Sequence, residues 1–193
     1  GRKSFWGKNS ERWWVFWYGG GGKQVYSSST NGMYWETPIT FRTGCLGGGG
    51  RFYAYYEDRG GVDYVHYQYG DEAENGDVYY RRGVCNSDGT ITWSDDEQVA
   101  VQSAKNLVLA PQGIAITPSG YVFMGYDWRI GTGWGDYRRI HCNVTYCTTA
   151  NGTWITEEGY PKQIDGDYST LGAVELTVWS MGEDGDCYAV MST

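Results

Sequence analysis

Long hydrophobic runs are missing from this sequence. No stretch of about eighteen apolar residues occurs, so no segment is suited to cross a membrane as a helix. Basic residues are also few, with 15 Lys and Arg against 23 Asp and Glu, and the net charge of −8 repels phosphate backbones. Proline is scarce, with 4 residues, and no segment shows a convincing amphipathic helical pattern. We therefore expect no membrane span, no nucleic-acid partner and few or no helices.

Metal-binding and cofactor motifs are absent as well. The 5 cysteines and 2 histidines form neither a paired-cysteine zinc motif nor a haem-attachment motif. Acidic, glycine-containing stretches offer oxygen ligands of the kind that calcium prefers, although none follows the EF-hand pattern. We expect no cofactor, with structural calcium as the one candidate ion. The acidic stretches are 71–77, 165–167 and 183–186.

The cysteines and two glycosylation sequons favour an extracellular location. An odd number of cysteines leaves at least one thiol free or bonded to another chain. Cys85 and Cys142 occupy equivalent positions in two similar segments, which makes them candidates for packing or for a disulfide. Asn143 and Asn151 each begin an Asn-x-Thr sequon and are candidate glycosylation sites.

Glycine and the large aromatic residues are abundant: 30 Gly, 18 Tyr and 10 Trp. Tyrosine and tryptophan suit half-buried pleated surfaces, and glycine without a three-residue period suits tight turns. This composition predicts many short strands joined by tight turns. Residues 12–18 are apolar on both faces, so we expect that strand to be covered on both sides; residues 62–69 alternate and predict a half-buried strand.

A repeated hairpin is the most informative pattern. Three segments share a strand, a polar turn with Asn-Gly or Asp-Gly, and a following tryptophan. These dipeptides mark hairpin turns because the turn requires positive φ. The segments are 24–35, 80–93 and 137–154. Repetition of one hairpin predicts an all-β repeat architecture.

The turns resemble the Asp-box (BNR repeat) of sialidase-like β-propellers, whose pattern is Ser-x-Asp-x-Gly-x-x-Trp. Residues 28–35 match at Ser28, Gly32 and Trp35, with Thr30 at the Asp position; residues 86–93 and 148–154 match with a shifted spacing. The resemblance implies a β-propeller-like repeat of antiparallel four-stranded sheets. The alternative is a β-sandwich or jelly roll.

The organisation expected for residues 1–193 is a single β-repeat domain of about three full blades and part of a fourth. A closed propeller needs four to eight blades. The chain also opens without a secretory signal, at Gly1. We therefore interpret the chain either as a segment of a longer protein or as a ring completed by another chain through self-assembly.

Catalytic motifs of the sialidase family are not found. That family uses three arginines, a Tyr/Glu nucleophile pair and an acidic Asp, and no Arg-Ile-Pro-type motif occurs here. We therefore expect no catalytic residues. The resulting prediction is a non-catalytic extracellular module for glycan or protein binding or for surface assembly. A sialidase-like glycoside hydrolase fragment is the alternative.

One loop is the best candidate ligand-binding site. A glycine-rich segment follows the apolar stretch 121–127, and loops on a rigid scaffold are where binding residues concentrate. Exposed tryptophan rings flanked by charged groups can stack on sugar faces and hydrogen-bond to hydroxyls. The candidate residues are Trp128, Arg129, Trp134, Asp136 and Tyr137.

Overall fold

The fold is known from a computed structural model. It describes residues 3–45, 52–70, 76–94, 97–102, 108–130, 138–149, 151–164, 175–181 and 186–192, and in 108–110, 128–130, 138–142 and everything beyond 174 it describes the backbone alone. All regular elements in these ranges are β-strands, which confirms the all-β prediction. No described segment forms a helix long and apolar enough to traverse a bilayer.

The strands form four antiparallel sheets in chain order. In each one, neighbouring strands along the chain pair with each other. The first sheet contains β1 (Ser4–Gly7), β2 (Arg12–Gly20), β3 (Lys23–Ser29) and β4 (Ile39–Arg42). The second contains β5 (Phe52–Arg59), β6 (Val62–Gly70), β7 (Val78–Cys85), β8 (Ile91–Trp93) and β9 (Gln98–Val101).

The third and fourth sheets follow the same order. The third contains β10 (Val108–Ile116), β11 (Val122–Ile130), β12 (Arg138–Cys147) and β13 (Lys162–Gln163), and the fourth contains β14 (Glu175–Met181) and β15 (Asp186–Ser192). In the second sheet, β8 and β9 pair with opposite ends of β7, so together they replace one outer strand. This up-and-down order within every sheet is the predicted blade pattern.

Two hydrophobic cores lie between neighbouring sheets. The core between the first and second sheets is mostly aromatic, built around Trp14, Phe16, Tyr26 and Tyr67. The core between the second and third sheets contains more aliphatic residues. Its buried members are Val78, Tyr80, Ala100, Val101, Ile114, Ile116, Val122, Met124, Tyr126, Cys147 and Trp154.

Burial on two strands is the reverse of the sequence prediction. Trp13 on β2 is 43% exposed, so this strand is not covered on both sides. On β6 both faces are buried: Val65 and Tyr67 lie on one, His66 and Gln68 on the other. The polar pair is tolerated because each side chain has a partner, since His66 contacts the Tyr80 hydroxyl and Gln68 donates to the carbonyl of Gly125.

The turn after the third strand has the same construction in three sheets. An Asn or Asp side chain accepts a hydrogen bond from the backbone amide two residues further on, at 2.9 Å in every case. A glycine with φ between 73° and 92° follows the acceptor. The acceptors are Asn31, Asp88 and Asn151, and the glycines are Gly32, Gly89 and Gly152. We call these the Asx-Gly turns. Each one holds the conformation of its hairpin through hydrogen bonds within the turn.

The spacing of the first turn differs from the sequence alignment. Ser29 and Asn31, rather than Ser28 and Thr30, make its internal hydrogen bonds. The Ser28 hydroxyl instead donates to the carbonyl of Gly89 in the second sheet. Side chains alternate along a strand, so the neighbouring serine necessarily faces the next sheet.

Each turn of the second and third sheets is held by the sheet before it. Arg12 on β2 donates from Nε to the carbonyl of Ser87 at 2.7 Å and forms an ion pair with Glu36. Arg82 on β7 repeats the contact one sheet further on, with Nη2 at 2.5 Å from the carbonyl of Asn151. We call these two contacts the inter-sheet latches, because they join successive sheets through charge-assisted hydrogen bonds.

A buried carboxylate ties the first sheet to the second. Asp63 is 1% exposed and accepts hydrogen bonds from Asn9, Ser10 and Tyr56. Burial alone raises the pKa of Asp63, but the hydrogen bonds from Ser10 and Asn9 outweigh this effect and hold the pKa below its ordinary value. The β1–β2 turn is therefore fixed by an ionised group.

Replacement of Gly89 by alanine tests the first latch. A Cβ there would lie 2.6 Å from Ser28 Oγ and 2.9 Å from Arg12 Nη1, in addition to the strain of φ +89°. Gly61 is a matched control, with φ +78° and open space around it. Chemical denaturation should show a loss of about 1–2 kcal/mol for G61A, from backbone strain alone, and a clearly larger loss for G89A. Equal losses would contradict the latch.

Acid unfolding tests the Asp63 tie. Because the folded pKa is depressed, its stabilisation is complete above the unfolded value of about 3.9 and is lost as pH falls through the lower folded value. We expect D63N to be less stable than wild type at pH 7 by several kcal/mol, on the order expected for a hydrogen-bonded buried charge. Its unfolding free energy should also fall less steeply below pH 4. The exposed Glu158→Gln is the control.

Candidate functional site

The first three sheets have the same orientation. Lys3, just before β1, lies over the ring of Phe52 at the start of β5, with Nζ 3.9 Å from the ring centroid. Arg59, at the end of β5, lies against Gly120 in the turn that follows β10. The first strands of neighbouring sheets also contact one another. We call the end of the sheets where β1, β5 and β10 begin the strand-start face.

The predicted ligand loop connects to this face. Trp128 and Arg129 are in the last residues of β11 and pair with Leu109 and Val108 at the start of β10. A register irregularity separates Trp128 from Arg129. Trp134, Asp136 and Tyr137 lie outside the described residues, as do the side chains of Trp128 and Arg129. Their role in ligand binding stays a prediction.

A cation lies near the head of the first strands. The Lys3 ammonium is partly buried against Phe52, and burial lowers its pKa from the ordinary lysine value. A cation over an aromatic face gains electrostatic attraction that partly offsets its lost hydration. Tyr53 and Tyr55 on β5 point to the other side, against the second core. The strand-start face therefore carries one ammonium held over an aromatic ring.

An arginine, a tyrosine and a glutamate form a compact cluster between the first and second sheets. The Arg42 guanidinium stacks over the Tyr69 ring at 3.4 Å and lies 3.2 Å from Glu97. The Tyr69 hydroxyl donates a short hydrogen bond to the same carboxylate. Burial first, and then Glu97, raise the pKa of Tyr69, so the phenol stays protonated. A nucleophilic tyrosine needs the opposite shift, and this cluster is structural.

A second carboxylate lies in the third sheet, near the strand-start face. Asp127 on β11 is fully buried, on the opposite face of the third sheet from Tyr126. Its Oδ2 accepts a hydrogen bond of 2.9 Å from Gln112 Nε2. Gln112 occupies a register shift on β10, and such bulges re-aim side chains next to functional sites. No sequence motif predicted this pair.

The described histidine is buried and serves the fold. His66 is 1% exposed between the hydroxyl of Tyr80 and the carboxylate of Glu57, at 2.8 Å and 3.0 Å. Burial lowers the pKa of His66, so the ring is neutral at pH 7. The backbone of His141 is described but its side chain is not. His66 is therefore held in place by Tyr80 and Glu57 inside the second sheet.

The covalent-modification sites are placed as follows. Asn143 is 3% exposed within β12, so the folded chain does not present that sequon at its surface, whereas Asn151 is exposed in the third turn.

Cys85 is a buried free thiol, and burial raises its pKa; the side chain of Cys142 is outside the described part. Cys85 ends β7 but Cys142 lies in the middle of the longer β12, so the two positions are not structurally equivalent.

Metal ligands do not gather in the described ranges, where no group of three His, Cys, Asp or Glu side chains could hold an ion. The acidic stretches 165–167 and 183–185 lie outside those ranges, as does most of 71–77. Structural calcium stays a prediction.

Comparisons with known proteins identify the fold. No protein-family model matches the chain, and no curated protein matches it. A Penicillium chrysogenum alpha-L-arabinanase complexed with arabinobiose matches 93% of the chain with a TM-score of 0.56 and 12% identity. The GH93 alpha-L-arabinofuranosidase of Fusarium graminearum, also with arabinobiose, matches 93% with a TM-score of 0.54 and 12% identity. A thermostable family-43 glycoside hydrolase matches 97% with a TM-score of 0.50 and 16% identity.

These matches establish a β-propeller-like fold. The chain spans 53%, 52% and 63% of the three proteins, about half the length of the first two. The propeller part of the sequence resemblance is confirmed, and the Asp-box relationship stays a prediction. The prediction of a non-catalytic binding or assembly module is wrong, because the solved propellers that share this fold are glycoside hydrolases. The prediction failed because it depended on the absence of one catalytic motif, that of the sialidase family.

Replacement of Glu97 by glutamine tests the structural reading of the Arg42–Tyr69–Glu97 cluster. Loss of the carboxylate leaves a mostly buried guanidinium without its counter-charge, so the unfolding free energy should fall by about 1–3 kcal/mol. The Tyr69 phenol should then ionise at a lower pH, which a spectrophotometric tyrosine titration can measure. The exposed Glu158→Gln should change neither quantity. An unchanged titration in E97Q would contradict the assignment.

Proposed function

We propose that the protein carrying this chain is a glycoside hydrolase that acts on arabinose-containing glycans. The observation that carries the proposal is the match over 93% of the chain to two arabinan-directed enzymes solved with arabinobiose. The same likeness supports a glycan, rather than a protein surface, as the partner. An extracellular location agrees with the proposal, because an enzyme reaches polymeric glycans outside the cell.

The strand-start face is the proposed substrate site. Most glycoside hydrolases use two carboxyl groups, one on either side of the scissile bond. The described carboxylates towards this end of the sheets are Asp77, Glu97 and Asp127. Glu97 forms the structural cluster with Arg42 and Tyr69, and Asp127 accepts a hydrogen bond from Gln112; we take Asp77 and Asp127 as the candidates. Asp127 is the stronger one, because it lies on a strand that pairs directly with the first strand of its sheet.

The ligand loop predicted from the sequence adds to this site. Loop residues at the end of β11 would contact the sugar next to the reacting bond, and Trp128, Trp134 and Tyr137 supply rings that stack on sugar faces. Arg129 and Asp136 supply hydrogen bonds to hydroxyl groups. The ligand loop predicted from the sequence would thus form part of the proposed substrate site.

An activity assay on linear and branched arabinan and on arabino-oligosaccharides tests the proposal. We expect release of arabinose or short oligosaccharides, measured by anion-exchange chromatography. D127N should lower kcat by about 10²–10⁴-fold, the usual contribution of an acid–base group. D88N is the matched control, because Asn occupies the corresponding position in the other two turns. Absence of turnover would contradict the proposed function, and wild-type kcat in D127N would contradict the role of Asp127.

A further inference from the structure

A groove lies at the end of the sheets opposite the strand-start face. Its volume is about 580 Å³, and it opens between the β1–β2 turn and the Asx-Gly turns of the first and second sheets. Six residues line it: Trp6, Lys8, Ser10, Glu11, Thr30 and Ser87. We call it the turn-end groove. No step of the proposed hydrolysis uses it.

Two tryptophans form an aromatic wall beside the groove. Trp6 and Trp13 face each other across β1 and β2, with ring centroids 5.2 Å apart and planes inclined by 57°. They are 38% and 43% exposed, and among the aromatic residues whose burial is described only Tyr34 and Trp35 are also exposed. The first Asx-Gly turn continues this surface with Tyr34 and Trp35, 79% and 44% exposed. A contiguous exposed aromatic surface marks a binding site more often than a chance exposure.

Unused polar groups surround this wall. The hydroxyls of Thr30 and Ser87 and the carboxylate of Glu11 are exposed and have no hydrogen-bond partner among the described residues. Glu11 also has φ +52°, and it is the one non-glycine residue of the described ranges with positive φ. Lys8 makes an exposed ion pair of 3.5 Å with Asp58, which contributes little to stability.

This chemistry fits a sugar better than a protein surface. One ammonium and one carboxylate give the groove no net charge, which matches a neutral ligand. A covering β-sheet would bury the Glu11 carboxylate without a partner and would remove the Lys8–Asp58 ion pair from water, and both changes are unfavourable. The hydroxyls of a glycan donate to Glu11 and accept from Lys8, while the C–H face of its ring packs on an indole.

We propose that the turn-end groove binds a neutral oligosaccharide segment, with Trp6 and Trp13 as the stacking platform. It is a second glycan site, separated from the strand-start face by the length of the strands. The proposal does not depend on catalysis, since the groove holds polysaccharide whether or not the other end cleaves it.

Affinity gel electrophoresis in arabinan and in linear xylan tests this site, because it measures binding without turnover. Wild-type protein should be retarded by at least one of the two polymers. W6A and W13A should each weaken the retardation by about tenfold in dissociation constant, equivalent to about 1.4 kcal/mol. I155A truncates a 57% exposed side chain beyond the third Asx-Gly turn and is the matched surface control, with wild-type retardation expected. The double variant T30A/S87A should weaken binding without removing an aromatic ring.

Chemical modification distinguishes an open site from a covered one. Trp6 and Trp13 should react with N-bromosuccinimide in the native protein and be protected by arabino-oligosaccharides, as located by peptide mass spectrometry. Three results would each overturn the proposal: no retardation by either polymer, unchanged retardation in W6A and W13A, or tryptophans that resist modification because another part of the protein covers them. Thermal unfolding of both variants near the wild-type Tm excludes a folding defect. Loss of hydrolysis in D127N with retained retardation would leave this proposal intact.

Discussion

The contacts that join the second and third Asx-Gly turns to the sheet before each of them determine how successive sheets are positioned. A four-stranded meander on its own buries neither face, so it is stable only when stacked on another sheet. Aromatic packing supplies the attraction between sheets, but the burial of apolar area is non-directional and leaves their relative position less constrained. The latches from Arg12 and Arg82 remove that freedom, since a guanidinium must meet carbonyl oxygens at fixed positions. Packing therefore holds the sheets together, and the turns set their register.

The sequence predicted the elements of this arrangement better than their surroundings. Asn-Gly and Asp-Gly located the turns because positive φ leaves few alternatives. The burial of β2 and β6 was predicted the wrong way round, since pattern analysis treats His66 and Gln68 as solvent-facing and tryptophan as buried. Both polar side chains are buried because Tyr80, Glu57 and Gly125 come from distant parts of the chain to bind them. No local pattern contains that information.

The candidate site was harder to predict than the fold. The ligand loop after residue 127 was predicted because its glycines and tryptophans stand together in the sequence, and it stays a prediction. Asp127 and Gln112 come from different strands, and only the bulge on β10 brings them to 2.9 Å. The exposed Trp6–Trp13 pair was missed for the opposite reason, because an apolar run was taken to mean burial. A site built across strands is visible only after register is known.

The two ends of the sheets have different freedom to carry function. At the turn end, the second and third turns are committed to the latches, so their shape cannot change without disturbing the stacking. The first turn has the same internal hydrogen bonds, yet no described sheet precedes it, and its Tyr34 and Trp35 are exposed. The same Asx-Gly turn thus joins two sheets where a described sheet precedes it. In the first sheet, where no described sheet precedes it, the turn carries exposed aromatic rings.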